Sequence, residues 1–317
     1  MNTVRAGVAG VGHLGYHHAR IYASLPNVKL VGVADPDEGK RTKASEDFQT
    51  KGFDSIEALL EAGVDALSIA APTSFHHAVA LKALEAGVDI IVEKPIAASV
   101  LEAEEIVAAA NRAGRLLQVG HIERFNGAVV ALMDAVTQPR FIECHRLSPY
   151  PNRGDDVSVV LDLMIHDLEI VQALVRSEVA SVDAVGVSVF SGLEDIANAR
   201  IRFASGCVAN ITSSRVSMER MRKIRIFAED MYVSTDYSAQ EVIVYKKKAG
   251  KLEPGMSPME LITVEPLEVH KDEPLKRELA SFLDCVRTRQ RPVVTGEDAL
   301  AALRLATRVV ESIRKPS

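Results

Sequence analysis

The sequence predicts an α/β chain: a doubly wound parallel sheet at the N-terminus, then a second α/β domain built on a large, mostly antiparallel open sheet. Three observations predict it. From Val4 to about Val119, short β-branched runs alternate with longer amphipathic ones, the pattern of a parallel sheet with crossover helices. Beyond Val179, β-rich runs follow one another with only turn signals between them, as in antiparallel sheets. A chain of 317 residues, 47% hydrophobic and 25% charged, is long enough for more than one core.

Taken in order, the first strands are expected at Val4 to Ala9, Lys29 to Ala34, Ala66 to Ala70, Asp89 to Val92 and Arg115 to Val119. Helical spacing covers Leu14 to Ser24, Glu38 to Gln49, Ser55 to Glu61, Phe75 to Glu85 and Leu101 to Ala113, with Gly63, Gly87 and Gly114 standing where helices stop. Past Gly120 the texture changes. The expected division is 1–120 for the parallel domain and 121–317 for the second, with the C-terminal helix packing back on the first. In the second domain a helix runs to Val136 and a strand covers Phe141 to Leu147. The loop Pro149 to Asp156 then leads into helical spacing over Val157 to Val175. Strands follow at Val179 to Phe190, Ala197 to Phe203, Cys207 to Val216, Lys223 to Ala228, Met231 to Thr235 and Val242 to Lys246. A polar link from Ala249 to Pro258, one more strand and two helices, Pro274 to Arg289 and Glu297 to Ile313, complete the chain.

A net charge of -6 argues against holding nucleic acid through a general basic excess. Cys144, Cys207 and Cys285 are odd in number and never spaced as CxxC, so they read as buried thiols in a reducing compartment. Neither a leader pattern nor an apolar run of bilayer length is visible, and the expectation is a cytoplasmic protein without a membrane partner. No metal site is expected, because no HExxH and no Cys/His set at ligand spacing occurs.

Gly10-Val11-Gly12-His13-Leu14-Gly15 fits GxGxxG, directly after a strand and opening a helix. The first glycine permits a tight turn, the second admits a pyrophosphate, the third allows close helix packing, and the helix N-terminus favours negative charge. Asp35 closes the next strand, twenty residues beyond Gly15, where a carboxylate can accept from adenosine ribose hydroxyls. Strand, helix and acid together predict a Rossmann domain rather than a glycine-rich turn that binds nothing. Asp35, Asp37 and Glu38 would repel a 2'-phosphate, and the nearest cations, Lys40 and Arg41, stand a helical turn or more away, so the expected cofactor is NAD.

Ligands of such sheets lie at the carboxyl ends of the strands. Ala71, Pro72, Thr73 and His76 after one strand, and Glu93 and Lys94 after the next, are therefore candidate cofactor contacts. His76 and His77 open a helix and serve equally well as capping or surface residues. Lys94 precedes Pro95, so its backbone is extended or turned, and a surface pair with Glu93 is the alternative to a functional role.

These segments, with Asp162-xxx-His166 further on, resemble the Gfo/Idh/MocA oxidoreductases, four motifs in the expected order over essentially the whole chain. The resemblance implies a Rossmann domain, then an α/β domain whose open sheet mediates homodimers or homotetramers. It carries a catalytic role to Lys94, an acid/base role to His166 and a substrate contact to Asp162. Two departures, Ser158-Val159-Val160 and Met164 where the family often has glycines, bear on the sugar pocket. Gly120-His121-Ile122-Glu123-Arg124-Phe125-Asn126 and the run Asp162 to Asp167 resemble the members that oxidise the 3-hydroxyl of UDP-N-acetylglucosamine, ahead of transamination to a 3-amino sugar for lipid A. His121, Arg124 and Asn126 are thus candidate substrate contacts.

Oxidising a secondary alcohol needs hydride transfer to nicotinamide and a base for the hydroxyl proton. Asp162 and His166 are four apart on a predicted helix and share one face. His166 is the expected base, with Lys94 polarising the oxygen or sharing the proton transfer. For a nucleotide-sugar diphosphate the candidate cations are Arg124, Arg146, Arg153 and the stretch Arg215 to Arg225, the last reading equally as a sheet edge or subunit contact. Alternative functions are an NAD-dependent glycosidase that oxidises transiently, an inositol-type polyol dehydrogenase, and a non-enzymatic NAD-binding sensor.

Overall fold

A computed structural model describes residues 3–150, 157–250 and 255–315. Its first sheet contains β1 (Val4–Ala9), β2 (Val28–Ala34), β3 (Lys51–Phe53), β4 (Ala66–Ile69), β5 (Asp89–Glu93) and β6 (Leu117–Gly120). They pair in parallel in the order β3-β2-β1-β4-β5-β6. Strand order reverses between β1 and β4, and a crevice for ligand opens beyond the carboxyl ends at such a switch point. The helices are α1 (His13–Ser24), α2 (Glu38–Asp47), α3 (Ile56–Glu61), α4 (His76–Glu85), α5 (Val100–Ala113), α6 (Gly127–Ala135), α7 (Ile165–Val175), α8 (Pro274–Thr288) and α9 (Gly296–Arg314).

Side-chain caps fix the helix starts: Asp37 accepts from the Lys40 amide at 3.1 Å, and Ser99 from the Glu102 amide at 3.2 Å. Gly114, at φ 60°, closes α5. β3 is absent from the sequence expectations. Three residues with a central glycine show no period, yet the Phe53 ring lies where a Cβ on Gly32 would come within 2.3 Å of it.

The chain divides into two compact units, Met1–Ile122 with Glu273–Leu303 and Glu123–Asp272 with Arg304–Ser317. In the first, Leu275, Leu279, Phe282 and Leu283 of α8 join Val4, Ala6, Ile21 and Tyr22 in one buried cluster. That packing follows from the strongly one-sided apolar pattern of α8.

The second unit is built on β7 (Phe141–Leu147), β8 (Val179–Val187), β9 (Ile196–Phe203), β10 (Val208–Ser214), β11 (Met221–Phe227), β12 (Met231–Asp236), β13 (Glu241–Lys247) and β14 (Ile262–Pro266). The order is β14-β13-β12-β11-β7-β10-β9-β8, antiparallel throughout except where β7 and β10 run parallel. Along β9, Ala197, Ala199, Ile201 and Phe203 are buried in alternation, the period-two signature of a sheet with one covered face. On β7 and β11 to β13 a row of rings, Phe141, Phe227, Tyr232 and Tyr245, runs across four strands at centroid spacings of 5.8, 4.8 and 5.2 Å.

The helical spacing expected over Val157 to Val175 resolves into a π-helical turn, Val160–Met164, followed by α7. All three cysteines are free and buried. No described helix is long and apolar enough to cross a membrane, and among the described residues no group of three His, Cys, Asp or Glu could hold a metal.

Candidate active site

The turn after β1 is shaped by its glycines in three different ways. Gly10 takes φ +84°, and a Cβ there would stand 2.7 Å from the Ala71 backbone. At Gly15 a Cβ would lie 1.8 Å from the Gly10 carbonyl oxygen, so only hydrogen fits where α1 crosses the turn. At Gly12 a Cβ would meet nothing within 4 Å. Gly12 is also the N-cap of α1, with no side-chain bond to the helix. Unfilled space above a helix N-terminus whose amides lack side-chain acceptors fits a pyrophosphate. His13 and Leu14 are exposed at this turn, while Val11 is buried.

Asp35 stands beside that turn. Its Oδ2 accepts from the Val11 amide at 2.8 Å and its Oδ1 from the Asp37 amide at 2.9 Å. The carboxylate is thereby fixed, with lone pairs left for ribose hydroxyls. Lys40 pairs with Asp37 at 3.3 Å. Arg41 is nearer than its sequence distance suggests, because its side chain folds back and Nη1 donates to the Asp35 carbonyl at 2.7 Å.

After β4, Ala71 and Thr73 are half-buried and Pro72 is exposed. His76 is not the surface residue that the sequence equally allowed. It is 1% exposed, with Nδ1 3.0 Å from the Pro95 carbonyl and Nε2 2.9 Å from the Ala71 carbonyl. Its ring ties together the two strand-end loops. Burial pushes its pKa below the ordinary value, against the pull of the two carbonyls and of Glu93. Lys94 is half-buried at the end of β5, and the Lys94–Pro95 bond is cis. Glu93 turns into the protein, where His18 Nε2 lies 3.0 Å from its Oε1. Its carboxylate is thus held inside the unit rather than in a surface pair with Lys94.

In the second unit, Asp162 lies on the π-helical turn and His166 in the first turn of α7, both half-buried. A π turn is wider than an α turn, and residues four apart still fall on nearly the same face. His121, in the first unit, is 1% exposed, its amide donating to the Val119 carbonyl at 2.8 Å. Arg124 Nη1 lies 2.6 Å from Glu169 Oε1.

Asn126 caps α6, its Oδ1 accepting from the Ala128 amide at 3.0 Å while Nδ2 donates to Glu123 and to the Tyr237 carbonyl, both at 3.4 Å. Buried and engaged on both sides, its amide has little capacity left for a ligand. Arg153 lies outside the described residues. Two other candidate cations serve the fold. Arg146 is clamped by Asp167 and Glu123, and Arg215, 1% exposed, binds Asp195 at 2.8 Å and the Val157 carbonyl at 2.7 Å. Lys223 and Arg225 form cross-strand pairs with Asp236 and Glu143.

Sequence reasoning missed His18 and Glu278 and gave Asp167, part of the Asp162 to Asp167 motif, no role of its own. Each belongs to a buried polar group joined to distant residues, and no local spacing marks them. A fully buried, charged position in an amphipathic helix such as Glu278 in α8 is the one signal that was present.

Residues 4–121 match the GFO/IDH/MocA oxidoreductase family with its NAD-binding Rossmann fold, and residues 126–234 match the GFO/IDH/MocA C-terminal domain. The chain is 38% identical over 304 residues to UDP-N-acetylglucosamine 3-dehydrogenase of Acidithiobacillus ferrooxidans, covering 94% of this chain and 95% of that one. A solved structure of that enzyme superposes with a TM-score of 0.92, covering 99% and 98% of the two chains. The scyllo-inositol 2-dehydrogenase (NAD(+)) of Bacillus subtilis is 28% identical, covering 98% and 94%. With its glycine turn, Asp35 and Lys94 at these strand ends, the chain belongs to the Gfo/Idh/MocA family of NAD-dependent oxidoreductases.

Proposed function

We propose that this protein oxidises a secondary hydroxyl of a nucleotide sugar with NAD, the 3-hydroxyl of UDP-N-acetylglucosamine being the leading substrate. The observation that carries the proposal is the similarity, over nearly the full length of both chains, to the Acidithiobacillus ferrooxidans UDP-N-acetylglucosamine 3-dehydrogenase. A 3-keto product would suit transamination to a 3-amino sugar of the kind used in lipid A.

Bound NAD supplies the hydride acceptor; the chain's own residues do the rest. The α1 N-terminus and the open space at Gly12 would receive the diphosphate, and Asp35 would accept from the adenosine ribose. In this reading the His166 imidazole takes the hydroxyl proton, Asp162 orients the sugar, and the Lys94 ammonium polarises the reacting oxygen. Half-burial of all three supports these roles, since each remains reachable while partly removed from water. The exposed aromatic and β-branched positions of the second sheet, Phe227 and Val264 among them, support a homo-oligomer formed through that sheet.

The test is a screen of UDP-sugars and free polyols for NADH formation. Net NADH from UDP-N-acetylglucosamine, with a 3-keto sugar as product, is the expected result. NADH from inositol and from no UDP-sugar would replace this reading by the polyol one. Glycoside cleavage without NADH accumulation would replace it by the glycosidase.

A further inference from the structure

The face of the parallel sheet that lies under α1 and α8 carries polar groups in a layer where apolar side chains are the rule. His18 and Tyr22 on α1, Ser68 on β4, Glu93 on β5, Gln118 on β6 and Glu278 on α8 are all 9% exposed or less. Ser68, Ile91 and Gln118 are direct partners across three strands, so this is one face. Burying so many polar groups is costly unless they bond to one another, and several do. Tyr22 Oη and Ser68 Oγ are 2.7 Å apart, and Gln118 Nε2 donates to the Glu278 carbonyl at 3.3 Å.

The carboxyl end of this layer lies directly behind Lys94. His18 Nε2 is 3.0 Å from Glu93 Oε1, and the other oxygen, Oε2, accepts from the Lys94 amide at 3.3 Å. With Glu93 as a carboxylate, which can only accept, His18 Nε2 is the donor of this contact. Gly120 is the cross-strand partner of Glu93, and a Cβ on it would stand 2.9 Å from Glu93 Oε2. The Glu93 carboxylate therefore rests on a seat that only glycine provides, with His18 holding it from the other side.

From these contacts we infer that His18 is a positioning residue: through Glu93 it fixes the backbone from which Lys94 projects. Glu278 completes the arrangement. It is fully buried, and neither carboxyl oxygen has a hydrogen-bond partner among the described residues. Burial, reinforced by Glu93, raises its pKa well above the ordinary value. That Lys94 is catalytic rests on the proposed function; that His18 and Gly120 seat its backbone does not.

Three variants test the inference on the full chain. His18→Leu removes the donor at similar volume, His18→Gln restores an N–H within reach of Glu93, and Gly120→Ala disturbs the carboxylate without touching His18. The first measurement is the acetylation rate of Lys94 Nζ in the absence of NAD, read by mass spectrometry, with exposed Lys82 as the internal control. The expected result is a change of about threefold or more in Lys94 labelling in His18→Leu and Gly120→Ala, a return toward wild type in His18→Gln, and constant Lys82 labelling. The second is turnover of UDP-N-acetylglucosamine, where kcat falls about tenfold or more with the KM for NAD held within about twofold, as for a small misplacement of a reacting group. Wild-type labelling in both His18→Leu and Gly120→Ala overturns the inference, and Gly120→Ala alone decides it if His18→Leu does not fold. Unchanged kcat in His18→Leu, with Lys94→Ala inactive, overturns its catalytic half. Full turnover by Lys94→Ala would instead remove the catalytic reading of Lys94, and the labelling would still decide the seat.

Discussion

Arg146 and Asp167 face each other as a buried fork: Nε lies 2.8 Å from Oδ2 and Nη2 2.9 Å from Oδ1, while Nη1 reaches Glu123 Oε1 at 2.9 Å. Burial alone would lower the arginine pKa, but Asp167 and Glu123 outweigh it and raise it. Asp167 follows His166 on α7, so this pair anchors the helix that presents the proposed base. Arg146→Leu takes the buried Asp167 carboxylate's arginine away and leaves Glu123 with Arg222 at 3.6 Å, and is expected to lower stability by about 3–5 kcal/mol, read as a fall in the denaturant midpoint. A midpoint within error of wild type would show that the clamp contributes little.

Gly12 and Gly15 make opposite predictions from one motif. Nothing lies within 4 Å of a Cβ at Gly12, whereas at Gly15 it would overlap the Gly10 carbonyl. Gly12→Ala should leave the stability of the cofactor-free protein within about 1 kcal/mol and weaken NADH binding by about tenfold or more. Gly15→Ala should destabilise the protein itself by about 3 kcal/mol or more. Calorimetric NADH titration beside thermal unfolding separates the two; equal effects of both variants on stability would contradict the assignment of Gly12 to ligand space.

The same contrast explains what the sequence makes legible. Strands such as β1 and β9 are visible because their periodicity is local, and their ends shift by a residue or two at most. β3 is invisible because Lys51-Gly52-Phe53 is held by pairing with β2 and has no pattern of its own. Lys94 and the glycine turn can be read because chain geometry at a strand end restricts which residues stand there. The roles of Arg146 and Arg215 cannot, since a cation near a motif looks the same whether it meets a ligand or a buried carboxylate. Arg146 meets Asp167 across 21 positions and His18 meets Glu93 across 75, and only the tertiary fold supplies those partners.

Glu278 carries a pH dependence whose sign follows from its burial. Its folded-state pKa is raised well above the ordinary value, so the folded chain holds a proton that the unfolded chain releases above about pH 4.3. Its contribution to stability is fully present below that pH and is lost as pH rises toward the folded-state pKa. Glu278→Gln, a neutral isostere, should therefore match wild type near pH 4 and exceed it at neutral pH. The gap should open by up to about 1.4 kcal/mol per pH unit. Denaturant midpoints of both proteins across pH 4 to 8 check this, and parallel curves would show that Glu278 ionises normally.

Lys94 and His166 carry the chemical step in the proposed function, and each can be tested with cofactor binding controlled. The His166 side chain belongs to neither the glycine turn nor the Asp35 site, so NADH affinity should stay within about twofold in His166→Ala; Lys94 is itself a candidate cofactor contact, so kcat of Lys94→Ala is read at saturating NAD. Removal of an acid/base or polarising group should lower kcat by about 100-fold or more. If His166 takes the hydroxyl proton, turnover in His166→Ala should recover partly with added imidazole, whereas Lys94→Ala should recover with small primary amines. Rescue in the opposite sense would exchange the two roles. Undiminished turnover in both variants, with NADH binding intact, would move the proton transfer to another residue of the chain.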